Sequence, residues 1–172
     1  MELKFRPLRE NEIEVRVDTI NEKGLSLLLY KTARTDAKIL DETVGPMNWE
    51  NEYKEIKGNM YCGISIHDRE NAEFVTKWNC GTESYAEAQK GEASDAMKRA
   101  GFTWGIGVEL YSSPYIYIQA SKTEIKTNSK GKLTTYDKFF VEKIKTNEET
   151  REIEGLSIVN QDNKRVFVWQ KQ

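Results

Sequence analysis

The feature that most constrains this chain is a run of small side chains at helical spacing. Ala93, Ala96, Met97, Ala100 and Trp104 recur at i, i+3, i+4 and i+7, so a helix here carries one narrow, small-residue face. Such a face buries well only when the helix lies close against a flat partner, and a sheet is the partner that allows it. Glu92, Asp95, Lys98, Arg99 and Phe102 fall on the opposite side. Ser84-Tyr-Ala-Glu87 has the capping-box spacing and opens the helix, which extends to about Trp104. Gly91 is a weak point, and Gly101, Gly105 and Gly107 loosen the far end.

The sheet is legible just upstream. Trp49 and Tyr53, then Met60, Cys62, Ile64 and Ile66, then Phe74 to Trp78 make three strands of a meander, with Lys57-Gly58-Asn59 as one turn and Asp68 to Ala72 as the other. Asp36 to Val44 reads as a helix with Asp36 as N-cap and Gly45-Pro46 as its stop. Leu25 to Tyr30 is strand-like, and Pro7 to Ile20 predicts a short N-terminal helix with Leu8, Ile13 and Val17 on one side. Tyr115 to Ile118 is a further strand. Phe139 to Ile144, Ile153 to Val159 and Val166 to Trp169 form a C-terminal antiparallel set that ends in a β-hairpin turning at Gln161-Asp-Asn163. The expectation is a strand-heavy α+β fold in a single domain over 1–172, with a core about 8–118, a basic loop at 120–135 and C-terminal strands at 136–170.

Composition narrows the function classes. The 172 residues carry a net charge of −2, so a nucleic-acid binder of this composition must segregate its basic residues. Segregation is present: Lys122 to Lys138 holds five lysines against Glu124 and Asp137, and Glu142 to Glu154 holds five acids against three cations. No apolar run nears the ~20 residues of a membrane span, and MELKFRPLRE has no apolar leader core, so no membrane partner and a cytoplasmic location are expected. Cys62, Cys80 and the single His67 form neither a disulfide framework nor a metal-ligand pattern.

Each chemical candidate has a bland competitor. Lys98-Arg99 on a rigid helix suits a phosphodiester track, while Asp95, three residues before Lys98 and four before Arg99, suits a plain surface ion pair. Lys122, Lys126, Lys130 and Lys132 sit in a polar stretch longer than most loops, which reads either as a phosphate-gripping flap or as a solvated loop. Trp49, Tyr53, Trp78 and Trp104 fit core packing better than base stacking. His67 beside Asp68 lacks a third group at motif spacing. Glu83, Glu87, Glu92 and Asp95 scatter around a helix instead of converging on a cation. No Walker loop, GxSxG or HExxH occurs, so no catalytic residue, metal or cofactor is expected.

One stretch is more specific. Gly91-Glu-Ala-Ser-Asp-Ala-Met-Lys-Arg-Ala-Gly-Phe-Thr-Trp-Gly-Ile-Gly-Val-Glu-Leu-Tyr111 resembles the signature helix of the single-strand annealing proteins: phage Sak proteins, bacterial DdrA repair proteins and the eukaryotic Rad annealing protein of double-strand-break repair. Ile39 to Trp49, with its Gly-x-x-x-Trp ending, is similar to a second element of that family. Met60 to Ile66 followed by Gly81-Thr-Glu-Ser84 is similar to a third, and Lys23 to Lys31 resembles the opening of the short phage members.

The resemblance implies an antiparallel β-β-β-α core with the long helix on a curved sheet, and ring or helical homo-oligomers with a basic groove. It implies single-stranded DNA as partner, annealing of complementary strands in phage recombination and repair, and a bacterial host cytoplasm. Lys98, Arg99 and, one residue out of register, Arg34 match the groove positions. A recombinase or single-strand binding protein is a further candidate partner, although the partner-binding tail of the eukaryotic members has no counterpart here. Two other classes stay open: a metal-dependent nucleic-acid enzyme, and an assembly protein that does not bind DNA.

Overall fold

In a computed structural model of the chain, the structure describes residues 3–82 and 88–172. In chain order the regular elements are β1 (Glu14–Asn21), β2 (Gly24–Tyr30), α1 (Ala33–Val44), β3 (Trp49–Ile56), β4 (Asn59–Asp68), β5 (Glu73–Cys80), α2 (Ala88–Thr103), β6 (Ile116–Gln119), β7 (Lys126–Thr127), β8 (Leu133–Thr134), β9 (Phe139–Thr146), β10 (Ile153–Asn160) and β11 (Arg165–Gln170). They form two compact units, one of residues 1–6 and 31–107, the other of residues 7–30 and 108–172.

The first unit is a β-β-β-α arrangement. Strands β3, β4 and β5 form an antiparallel sheet with β4 central, and α2 packs on β4 and β5. The two-residue turn Lys57-Gly58 has φ of 54° and 78°, the left-handed pair that matches the twist of a tight hairpin. Cys62, Ile64 and Ile66 on β4 are buried, as are Ala96, Met97 and Ala100 on α2 and Ile39 and Leu40 on α1. The small-residue face of α2 thus does what its spacing predicts. Gly81, just past β5, takes part in the close approach: a Cβ there would lie 2.2 Å from the Glu92 carbonyl oxygen and 2.9 Å from the Ala96 nitrogen. The predicted capping box at Ser84 and Glu87 lies outside the described residues.

The second unit is built on a six-stranded antiparallel sheet in the order β11-β10-β9-β1-β2-β6. Its buried side chains include Leu25 and Leu27 of β2, Ile116 and Ile118 of β6, and Leu156 and Ile158 of β10. Glu109 is fully buried, accepts the Leu8 amide at 2.5 Å and pairs with Arg151 at 2.8 Å. The C-terminal hairpin of β10 and β11 forms as expected.

Two expectations are corrected. The N-terminal helix is absent: only Glu10–Glu12 makes a single 3-10 turn, and Glu14–Asn21 is strand β1 paired with β2. Val15, Val17, Thr19 and Ile20 are β-branched and pair across a turn in which Asn21 Oδ1 accepts the Lys23 and Gly24 amides, which outweighs the loose helical spacing of Leu8, Ile13 and Val17. The N-cap of α1 is Thr32, whose hydroxyl oxygen accepts the Thr35 amide, and Asp36 is instead buried within the first turn. The helix stop at Gly45, φ 88°, is as expected.

The approach at Gly81 leads to a prediction. Gly81→Ala forces α2 away from the sheet end, and we expect a loss of about 1–3 kcal/mol in urea unfolding, the usual range for an overpacked interior site. A variant as stable as the parent would show that α2 does not need this contact.

Candidate nucleic-acid interface

The predicted cations of the first unit stand above a buried ion pair. Lys31 Nζ contacts both Asp36 carboxylate oxygens, at 2.5 and 2.6 Å, and the two side chains are 1% and 0% exposed. The same ammonium donates to the Lys98 carbonyl at 3.1 Å and lies 4.1 Å from the centre of the Phe102 ring. Gly101 fits over the pair, where a Cβ would come within 2.8 Å of Asp36 Oδ2 and 3.2 Å of Lys31 Nζ. A residue on α2 therefore has its backbone oxygen held by a cation anchored on α1. Burial pushes the Asp36 carboxyl up to about 6, against the pull of Lys31.

On the outer side of α2, Asp95 gathers both predicted cations. Arg99 Nε donates to Asp95 Oδ2 at 2.7 Å, and Lys98 Nζ lies 3.5 Å from Oδ1. Asp95 also accepts the Thr82 amide at 3.1 Å and its hydroxyl at 2.9 Å, which ties the end of β5 to the helix. Burial raises the Asp95 carboxyl, but the Arg99 and Thr82 hydrogen bonds outweigh it and hold the group below the usual carboxylate range. The competing reading of Lys98-Arg99 as a helix-surface ion pair is thus geometrically realised, although Arg99 remains 44% exposed. Arg34 is exposed in the first turn of α1, which packs against α2 in the same unit.

Lys122, Lys126, Lys130 and Lys132 belong to the second unit, and all four are exposed. Their segment has a defined backbone. β7 and β8 pair around a turn in which Asn128 Oδ1 accepts the Lys130 and Lys132 amides at 2.9 and 3.0 Å, and Gly131 takes a φ of 74°. Lys130 and Lys132 stand at this turn, Lys126 pairs with Glu124 at 2.9 Å, and Lys122 reaches the Val166 carbonyl at 3.4 Å.

The remaining candidates have ordinary roles. The expected core placement of the four aromatics needs correction: Tyr53 is 41% exposed, and Trp49, Trp78 and Trp104 are half-buried with polar engagements. Trp49 Nε1 donates to Asp41, Trp104 Nε1 donates to the Ile64 carbonyl, and Lys54 and Lys77 lie over the Trp78 and Trp104 rings at 4.5 and 4.3 Å. Sequence reasoning missed these cations because their partners are distant along the chain. His67 packs against Phe74, and burial pushes the Cys62 thiol up to about 11, away from thiolate chemistry. Among the described residues no three of His, Cys, Asp and Glu group at metal-binding distance; Glu83 and Glu87 lie outside them. No described helix is long and apolar enough to cross a membrane.

A family model described as Rad52/22 family double-strand break repair protein matches residues 5–130. No curated protein and no solved structure matches the chain.

The Lys31–Asp36 pair yields two predictions. Lys31→Met alone strands a buried carboxylate, and we expect a cost of about 3–5 kcal/mol in urea unfolding, whereas Lys31→Met with Asp36→Leu costs clearly less. Equal losses for the single and double variants would refute the pair as the linked element. The raised Asp36 value also sets a pH signature. An unfolded aspartate titrates near about 4, so the contribution of this group is complete below that pH and is lost as pH rises through about 6. Stability curves of the parent and of Asp36→Asn across that window should differ in slope, with the parent falling more steeply.

Proposed function

Because this chain belongs to the Rad52/22 family of double-strand break repair proteins over residues 5–130, we propose that it binds single-stranded DNA and anneals complementary strands in recombination and repair. The observation that carries the reading is the adjacent pair Lys98-Arg99 on α2, inside the matched segment and on a helix pinned by the buried Lys31–Asp36 pair. Annealing requires the sugar–phosphate backbone to be gripped while base edges stay open, and it requires the repulsion between two strands to be lowered. Fixed cations on a helix meet both needs without a reacting group.

In this reading Lys98, Arg99 and Arg34 contact phosphates in one unit, and Lys122, Lys126, Lys130 and Lys132 contact them in the other, all within one annealing domain spanning residues 1–172. Copies of the chain assemble into a ring or helical homo-oligomer, which turns a few contacts per subunit into a continuous track. A phage or prophage origin, a bacterial cytoplasm, and a recombinase or single-strand binding protein as a further partner complete the proposal. The Asp95 ion pairs support a second reading, in which Lys98 and Arg99 serve only the helix surface of an assembly protein.

One experiment separates the two: fluorescence anisotropy of labelled oligo-dT against rising salt, beside light scattering of the eluted species. A large oligomer with salt-sensitive binding is expected, and Lys98→Ala with Arg99→Ala should lower affinity and flatten the log–log salt slope by about 1.4, at about 0.7 per single-strand phosphate contact. Asp95→Asn, which removes the carboxylate charge that both cations face, should tighten binding several-fold. An unaltered slope in the double variant together with unaltered affinity in Asp95→Asn would leave the surface ion pair as the role of these residues.

A further inference from the structure

An open cleft of about 570 Å³ lies in the second unit, between the turn Ala120–Lys122 and the C-terminal hairpin. Ser121 and Lys122 line one wall and Asn160, Lys164 and Arg165 the other, with Asp137 at the seam. The two walls are tied together by the protein itself. Asp137 accepts the Thr123 hydroxyl at 2.7 Å, the Glu124 amide at 2.9 Å and the Gln161 side-chain amide at 2.9 Å. Asn160 Oδ1 accepts the Asp162 and Lys164 amides at 3.1 and 3.0 Å, which fixes the backbone that carries Lys164.

Within this frame Asp137 is held by neutral donors alone, and two lysines have no ion pair among the described residues. Glu124 pairs with Lys126, and Arg165 is taken by Glu142 through two 2.6 Å hydrogen bonds. Lys122 Nζ reaches only a carbonyl, at 3.4 Å, and the Lys164 ammonium has no hydrogen bond or ion pair among the described residues. Two lysines from segments distant in sequence therefore line one cleft without an ion pair of their own, beside Ser121. An anion with several acceptor oxygens satisfies this set. The ionised Asp137 at the seam disfavours a dianion such as free phosphate more than a singly charged phosphodiester. The cleft is also open to solvent along its lining residues, so its ligand need not be a small enclosed anion.

We propose that this cleft is a phosphate-gripping site separate from α2, with Lys122 and Lys164 as its cations and Ser121 as a hydrogen-bond donor, and with a phosphodiester of single-stranded DNA as its ligand. It rests on the single-strand-binding reading above for the source of the phosphate. Lys164 lies beyond the segment that the family model matches, and nothing in its sequence neighbourhood distinguishes it from an ordinary turn lysine.

Two measurements on the full chain test it independently. In the anisotropy assay, Lys164→Ala should weaken oligo-dT binding several-fold and lower the salt slope by about 0.7, while Lys164→Arg restores both. In heteronuclear NMR spectra, oligo-dT should shift the amides of residues 121–124 and 162–166 in the parent, and these shifts should be lost in Lys164→Ala. Titration with inorganic phosphate is the comparison arm and should shift the same amides only weakly. If the parent binds oligo-dT and Lys164→Ala binds it with the same affinity and slope, the site is overturned. Strong phosphate shifts with no effect of Lys164→Ala on DNA overturn the phosphodiester assignment. If the parent binds no oligo-dT, the function proposed above fails. Strong phosphate shifts in that case would preserve the cleft as an anion site, and their absence would remove it as well.

Discussion

Lys31 and Asp36 meet in a place that water does not reach, where each charge alone would cost several kcal/mol. The cost is offset by two hydrogen bonds between them, by the Lys98 carbonyl and by the face of the Phe102 ring. Those last two partners lie on α2, and Gly101 on the same helix leaves room for the pair. A shift of α2 by one residue along its axis would put a side chain onto the pair and remove the carbonyl from the ammonium. The ion pair therefore does more for register than for raw stability: it allows one placement of α2 over α1, and so one direction for the side chains of Lys98 and Arg99.

On the proposed reading, a chain of net charge −2 meets a polyanion through a local cluster of cations. Asp95 occupies the space between the two cations and bonds Thr82 as well, so the outer face of α2 is only partly positive. As a phosphate site it would hold its ligand weakly, with a grip that falls quickly with salt. In the proposed homo-oligomer, repetition over copies of the chain would convert such sites into a useful track.

Legibility from sequence followed contact range. Strands β3 to β5 and the buried face of α2 were readable because their signals are local: strict alternation, a two-residue turn at Lys57-Gly58, and small residues at helical spacing. The segment before β2 was misread because Leu8, Ile13 and Val17 match a helix loosely, while pairing with β2 decided the outcome. Asp36 passed for an N-cap because a carboxylate near a helix start has that role by default, and only the fold brings Lys31 onto it. Of the candidate interface, Lys98-Arg99 and its competitor Asp95 were both visible, being neighbours on one helix. Lys164 was not visible at all, since its significance comes from Lys122, more than one strand away in the chain.

The two candidate phosphate sites share a physical design. In each, cations sit on a backbone fixed by hydrogen bonds: Lys31 to the Lys98 carbonyl in one, Asn160 to the Lys164 amide in the other. In each, an ionised aspartate stands close by, Asp95 or Asp137, held below the usual carboxylate range by its hydrogen bonds in spite of burial. Rigid cations beside a permanent negative charge attract a phosphodiester but do not trap it. For the proposed strand annealing this balance would be functional, because a strand gripped too strongly cannot slide to find its complement or leave once paired. On that reading the aspartates limit affinity instead of spoiling the surface.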